Sequence, residues 1–170
     1  RHRMPVIVTN RMDLNRVERE VRLCREQALF FEGDATAAYY AIERGTVRCC
    51  RMTPDGRRQI FRFAGAGDLL GVGCTDRYGY TAEAVTALVA RRHPMAGLEA
   101  EMADAVLRNR VLEALRAGLA ATRTQLMLLG RMSAAEKLAN FLLSIAAERR
   151  SVLIELPMSR ADIADYLGLT

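Results

Sequence analysis

Leu112, Leu115, Leu119, Thr122, Leu126 and Leu129 recur at gaps that alternate between three and four residues, the spacing of a coiled-coil seam. One face of a helix over Met102–Arg131 is therefore apolar along its whole length. Such a helix, of roughly 30 residues at about 1.5 Å each, is about 45 Å long, more than a small domain is wide. Part of its apolar face needs a partner, and a two-fold related copy is the simplest. Gly118 inside this helix costs about 1 kcal/mol relative to Ala.

The 170 residues suffice for one substantial core, or for two small ones joined by this helix. No apolar run reaches the roughly 18 to 20 residues that span a bilayer, and residues 1–10 lack the order of a signal peptide. The expectation is a cytoplasmic protein with no membrane association. The net charge of +5 is carried almost wholly by Arg, with Lys137 the only lysine. Arg is the better bidentate ligand for phosphate, so the charge is compatible with nucleic acid. Cys24, Cys49, Cys50 and Cys74 lack the paired spacing of a zinc ribbon or the clustering of an iron–sulfur site, and are expected as reduced thiols.

Along the chain, Leu14, Val17 and Val21 share a helical face and predict a short leading helix. From Leu29 to Arg92 the texture becomes β-like: Leu29–Phe31, Tyr39–Ile42, Val47–Met52, Gln59–Phe63 and Ala84–Val89 alternate with turn signals. Gly33, Gly45, Gly56 and Gly67 follow one another at 12, 11 and 11 residues, which predicts an antiparallel β-roll or jelly roll, with a plain β-meander as the alternative. His93-Pro94 ends the last strand. Near Gly130 the long helix stops, and Ser133-Ala134-Ala135-Glu136 forms a capping box that starts another, with Leu138, Phe141, Leu142 and Ile145 on one face. Ser151–Leu156 reads as a short strand ended by Pro157.

Ser159-Arg160-Ala161-Asp162 is a second capping box, opening a helix with Ile163, Ala164 and Leu167 inside. Gly168-Leu169-Thr170 follows at once. A small Ala for close helix crossing, a Gly for the left-handed turn, a Leu to plug the angle and a Thr to cap the next helix are what the first half of a helix-turn-helix requires. That next helix would lie in the major groove. Ser159 and Arg160 are candidate phosphate contacts and Thr170 a candidate cap of the reading helix. Base-reading residues are expected beyond Thr170, so the chain as given is expected to stop short of operator recognition.

With these strings assembled, the chain resembles the CRP/FNR family of bacterial transcription factors. Carrying the resemblance are Phe31-Glu32-Gly33-Asp34, Tyr39–Val47, Asp55–Ile60, Ala66–Gly71, Ala135–Leu138 and Leu156–Thr170. It implies an α+β chain: an antiparallel β-roll (jelly-roll) sensor domain with a short leading helix over 1–98, a dimerisation helix over 99–131, and an incomplete winged helix-turn-helix over 132–170. It also implies a homodimer that binds palindromic double-stranded DNA and contacts RNA polymerase. The cyclic-nucleotide branch of that family uses a Gly-Glu-Leu string and a later Arg-Ser, where this chain has Gly71-Val72-Gly73-Cys74 and Tyr80-Thr81-Ala82-Glu83. The oxygen-sensing branch uses an N-terminal cysteine group and a fourth cysteine that would fall near Ala90; only Cys24 stands at the front. The chain is most similar to the FixK-like subgroup, which lacks the cluster ligands.

The resemblance thus implies a regulator with no cofactor expected, controlling oxygen- or redox-linked genes as an activator. A neutral Thr122 on the seam, where the family can carry an acid, favours a dimer formed without a ligand. Cys49 and Cys74 are the candidate redox thiols: adjacent Cys49 and Cys50 point to opposite faces of a strand, with one expected to be exposed, and Arg77 is a candidate to activate Cys74. The alternative is a sensor of the same architecture gated by haem, with His93 or Cys74 as iron ligand, or by an unknown small molecule in the roll. A cupin-type enzyme would need a set of His and Glu metal ligands that the roll segment lacks, and no catalytic arrangement is found elsewhere.

Overall fold

A computed structural model describes residues 19–130, 132–149, 153 and 155–169. Two four-stranded antiparallel sheets make up the roll. The first has the order β1 (Arg19–Leu23), β8 (Leu88–Pro94), β3 (Ala38–Arg44), β6 (Leu69–Leu70); the second runs β2 (Ala28–Phe30), β7 (Thr81–Ala84), β4 (Val47–Met52), β5 (Arg58–Ala64). A short helix α1 (Leu98–Glu101) leads to the long α2 (Ala105–Leu129), followed by α3 (Ala134–Arg149) and α4 (Arg160–Leu167).

The roll closes because inward positions alternate along its strands. Tyr40 and Ile42 join Val21, Leu23, Phe30, Val47, Cys49 and Leu88 between the sheets. In β3 the outward residues are buried too: Tyr39 and Ala41 pack with Leu69, Leu98 and Val111 beneath the start of α2. The Tyr39 hydroxyl donates to Glu101 Oε2 at 3.1 Å, tying roll to helix.

Several expectations shift. Val21 lies not on a leading helix but in β1, where Val21 and Leu23 are buried and their neighbours exposed; Leu14 and Val17 fall outside the described residues. The window Ala84–Val89 is not one strand: its middle is the turn between β7 and β8. The long helix begins later than Met102, because Asp104 takes the N-cap and accepts from the Val106 amide at 2.9 Å. The strand expected over Ser151–Leu156 falls mostly outside the described residues.

Both capping boxes form. Ser133 N–H donates to Glu136 Oε2 at 2.8 Å, and Glu136 N–H to Ser133 Oγ at 3.3 Å. At the start of α4 the same exchange joins Ser159 and Asp162. Gly168 ends α4 in the left-handed conformation at φ 63°. A Cβ there would stand 2.6 Å from Leu129 Cδ2, the tip of a side chain that would have to shift, so the left-handed φ is what calls for glycine.

Candidate functional site

The long helix has two apolar faces with different fates. Val111 and Leu128 are 3% and 6% exposed, packed on the roll and on α3 and α4. Leu119 and Leu126, on the adjacent face, are 53% and 68% exposed, and Leu112, Leu115 and Leu129 are exposed as well. Thr122 is exposed in the same row. Its hydroxyl donates to the Gly118 carbonyl one turn back at 3.0 Å, so the row carries no charge at that point.

At the far end of α2 the first helix of the helix-turn-helix half-motif docks on the roll. Its apolar anchor is Leu167, fully buried with Leu128 and Phe141, and Phe63 of β5 packs against the same cluster. Tyr166 meets Phe63 and Phe141 with ring centroids 5.5 and 5.4 Å apart. Around this core runs a polar network. Asp162, 1% exposed, accepts from Arg48 Nη1 at 3.0 Å and Arg58 Nη2 at 2.8 Å through Oδ1. Its other oxygen accepts from the Ser159 amide and hydroxyl at 3.0 and 2.8 Å. Arg58 also reaches Asp165 Oδ2, and Gln59 Nε2 donates to the Asp165 carbonyl at 2.7 Å. Arg48, buried on β4, is further held by Glu26 and by Glu83.

These partners set the ionisation of the network. Burial works against the charge of Asp162, but the hydrogen bonds from Ser159 and the charges of Arg48 and Arg58 outweigh it and hold its carboxyl below the ordinary range. Glu26 is held low chiefly by its hydrogen bond to Arg48. Burial also opposes the charge of Arg48, and Glu26 and Glu83 more than compensate. For a carboxylate whose folded value is depressed, the stabilisation is complete above the unfolded value of about 3.9 and is lost as pH falls through the folded one. Asp162→Asn is therefore expected to flatten the acid limb of unfolding free energy against pH, below about pH 4, as measured by urea denaturation.

The sequence-derived site residues separate here. Ser159 is half-buried and its hydroxyl is engaged in the capping box, whereas Arg160 is exposed. Thr170 lies outside the described residues. The expectation that one of the adjacent Cys49 and Cys50 is exposed is corrected: both are buried, at 1% and 4% exposure. They do face opposite sides of β4, but Cys49 lies in the roll interior and Cys50 lies under the Arg48, Arg58 and Asp165 network. Burial pushes the two thiols up to about 12 and 11, so neither supplies thiolate at neutral pH. Cys74 is half-buried, packed against the roll core, and Arg77 is turned to the Gly33 carbonyl at 2.6 Å. A thiol reagent is expected to label exposed Cys24 within seconds and to reach Cys49 and Cys50 only in denaturant, as read by peptide mass spectrometry.

The roll interior between Gly71 and Tyr80 is filled by rings. Phe30 stacks on Tyr78 at 3.9 Å and meets Tyr80 edge-on at 5.2 Å, while Phe61 meets Tyr80 at 5.5 Å. The Gly71 amide donates to the Tyr80 hydroxyl at 3.1 Å, and Tyr78 donates to the Ala38 carbonyl at 2.6 Å. Glu83 is turned outward to Arg48 rather than into the roll. His93 stacks on Tyr39, with ring centroids 4.7 Å apart. Among the described residues no cluster of three or more His, Cys, Asp or Glu is placed to hold a metal, and no helix is long and apolar enough to cross a membrane.

Two families match this arrangement in order: the cyclic nucleotide-binding domain over residues 20–104 and the Crp-like helix-turn-helix domain over 136–170. The chain is 40% identical to the nitrogen fixation regulation protein FixK of Bradyrhizobium diazoefficiens, across 89% of this chain and 67% of the relative. The chain belongs to the CRP/FNR family of transcription regulators. Within that family its relatives are FixK-like. A second relative, the transcriptional activatory protein AadR of Rhodopseudomonas palustris, is 36% identical across 93% of this chain and 69% of the relative. The fumarate and nitrate reduction regulatory protein of Yersinia pestis is 31% identical, across 92% and 66%. The structure of FixK2 from Bradyrhizobium japonicum superposes with a TM-score of 0.80 at 32% identity, across 91% of this chain and 79% of that one. This CRP/FNR chain spans about two thirds of the length of the curated relatives it matches. Those relatives are regulators rather than enzymes.

Three features of the regulator escaped sequence reasoning. Arg48, Arg58 and Gln59 read as ordinary alternating strand residues, yet they bind α4 from more than 100 positions away in the chain. Buried arginine has no local signature. The one available signal is the string Asp55–Ile60, a carrier of the resemblance, which contains both Arg58 and Gln59.

Proposed function

We propose that this chain forms the sensor, dimerisation and leading DNA-binding parts of a homodimeric regulator that binds palindromic DNA without cyclic nucleotide or iron–sulfur cluster. The observation that carries the reading is the exposed row Leu112, Leu115, Leu119, Thr122, Leu126 and Leu129, which runs beside the buried face of α2 and ends next to the half-motif. Pairing that row about a two-fold axis covers it and sets two half-motifs at a fixed separation, the geometry a palindromic operator requires. The chain divides as 1–98 for the roll, 99–131 for the dimerisation segment and 132–170 for the DNA-binding part. Exposed Arg160 supplies a phosphate contact, Ser159 sets the helix start behind it, and Thr170 caps the reading helix. The ring-filled roll interior and the outward turn of Glu83 support a regulator without a bound nucleotide; likeness to the fumarate and nitrate reduction regulatory protein supports oxygen- or redox-linked target genes, and likeness to the transcriptional activatory protein AadR supports a productive contact with RNA polymerase. The protein acts in the cytoplasm.

The test is sedimentation equilibrium on full-length aerobically purified protein, with an absorbance spectrum from about 300 to 700 nm, followed by operator binding with no effector added. A colourless dimer that shifts the operator is expected. A monomer, or a band near 400 nm, overturns the reading.

One observation favours a second reading, a sensor gated by a small molecule. A cleft of about 640 Å³ opens between β5, α2 and α3, lined by Arg62, Phe63, Ala121, Thr124, Phe141 and Tyr166 among others. Filling it by Ala121→Trp separates the readings: operator affinity stays within about twofold if no ligand uses the cleft, and changes more if one does.

A further inference from the structure

Asp162 performs two tasks with its two oxygens. Oδ2 closes the capping box with Ser159, and Oδ1 takes Arg48 and Arg58 from the roll. The start of α4 and its attachment to β4 and β5 are thus one structural event. Two further bonds flank it, Arg58 to Asp165 and Gln59 to the Asp165 carbonyl. Gln125 of α2 adds a third, donating to the carbonyls of Ile60 and Tyr166. Charge-assisted bonds to a buried carboxylate are directional, so they specify one orientation of the helix where an apolar contact alone permits sliding. Arg160 and Ala161, on the opposite side of the same turn, are exposed.

From this geometry we infer that Arg48 and Arg58 are positioning residues that lock the leading helix of the DNA-binding domain onto the roll in its DNA-competent orientation, in place of a ligand. The inference rests on the ligand-free dimer proposed above. Without the lock, α3 and α4 swing about the segment near Gly130 and the operator-bound arrangement becomes one of many. Arg48 is the buried pivot, with three further N–H groups donating to Glu26 and Glu83. Arg58, with a side chain 26% exposed, meets Asp165 at 30% and is the accessible half of the lock.

That accessibility makes a charge-reversal test practicable in the full-length dimer. Arg58→Glu and Asp165→Arg are each expected to weaken operator binding about tenfold, within the five- to 150-fold span of coupling between sites. The double variant is expected to lose less than the two single losses combined, since the exchange restores opposite charges between positions 58 and 165 while the bond from Arg58 to Asp162 stays lost. Hydrogen exchange should rise over 160–167 in each single variant and by less than the sum of the two in the double, while sedimentation still gives a dimer and the unfolding midpoint of the roll stays unchanged. Operator affinity within twofold of the parent in both single variants, or a gain in affinity, overturns the lock. So do losses that simply add in the double variant. If the parent itself fails to dimerise or to bind without an effector, it is the proposed function that fails, and the exchange data on α4 still decide whether the ion pairs hold the helix.

Discussion

Leu119→Glu is expected to convert the full-length dimer into a monomer at micromolar concentration. Leu119 sits at the middle of the exposed row, so a two-fold axis brings it close to its own copy. Burying one Leu contributes about 2 kcal/mol, and the substitution removes two of them per dimer. The loss of about 4 kcal/mol alone raises the dissociation constant about a thousandfold. Two carboxylates facing each other add repulsion in a partly dry seam. Met127→Glu is the control: Met127 is 75% exposed but lies off the row, and the dimer should survive. Sedimentation equilibrium over a wide concentration range reads both, and a Leu119→Glu variant that stays dimeric at 1 μM would sink the seam.

The second large effect is on folding. Gly45 turns the chain between β3 and β4 at φ 98°, and a Cβ there would meet the Ala87 carbonyl at 2.4 Å and Leu88 Cα at 3.0 Å. Both are backbone atoms in and next to β8, which cannot yield without breaking the sheet. Gly45→Ala is expected to cost about 3 kcal/mol, the sum of a left-handed strain of about 1 kcal/mol and a steric shift of about 2 kcal/mol. Gly56, at φ 83°, has open space around its missing Cβ, so Gly56→Ala should cost only the strain, about 1 kcal/mol. Urea unfolding of both variants reads the difference; equal costs would show that the β3–β4 and β7–β8 turns do not press on each other.

The candidate site was legible where its chemistry is local. The boxes Ser133–Glu136 and Ser159–Asp162 close within one helical turn, and Gly168 needs only its own φ, so residue type and spacing suffice to predict them. Where one turn splits a window between two strands, as at Ala84–Val89, the apolar pattern runs on through the turn and hides it. In β1 the two buried residues Val21 and Leu23 fit a strand, but Val21 alone also fits a helical period with Leu14 and Val17. Pairing with β8, through Val21 with Ala90, decides between them, and that partner lies far along the chain.

By itself, then, the sequence determined the periods: the leucine row of α2, the evenly spaced corners of the roll, the two helix starts and the glycine stop after Leu167. Each depends on interactions within a few residues, which composition and spacing encode directly. Only the tertiary structure decided which apolar face of α2 is covered and which is left exposed, since both faces carry the same kind of side chain. It also decided that Cys49 and Cys50 are both sealed, the first inside the roll and the second on its outer side, and that Arg48 and Arg58 serve Asp162. Such choices depend on surfaces brought together over long sequence separations, where burial and charge pairing act jointly and leave no local pattern to read.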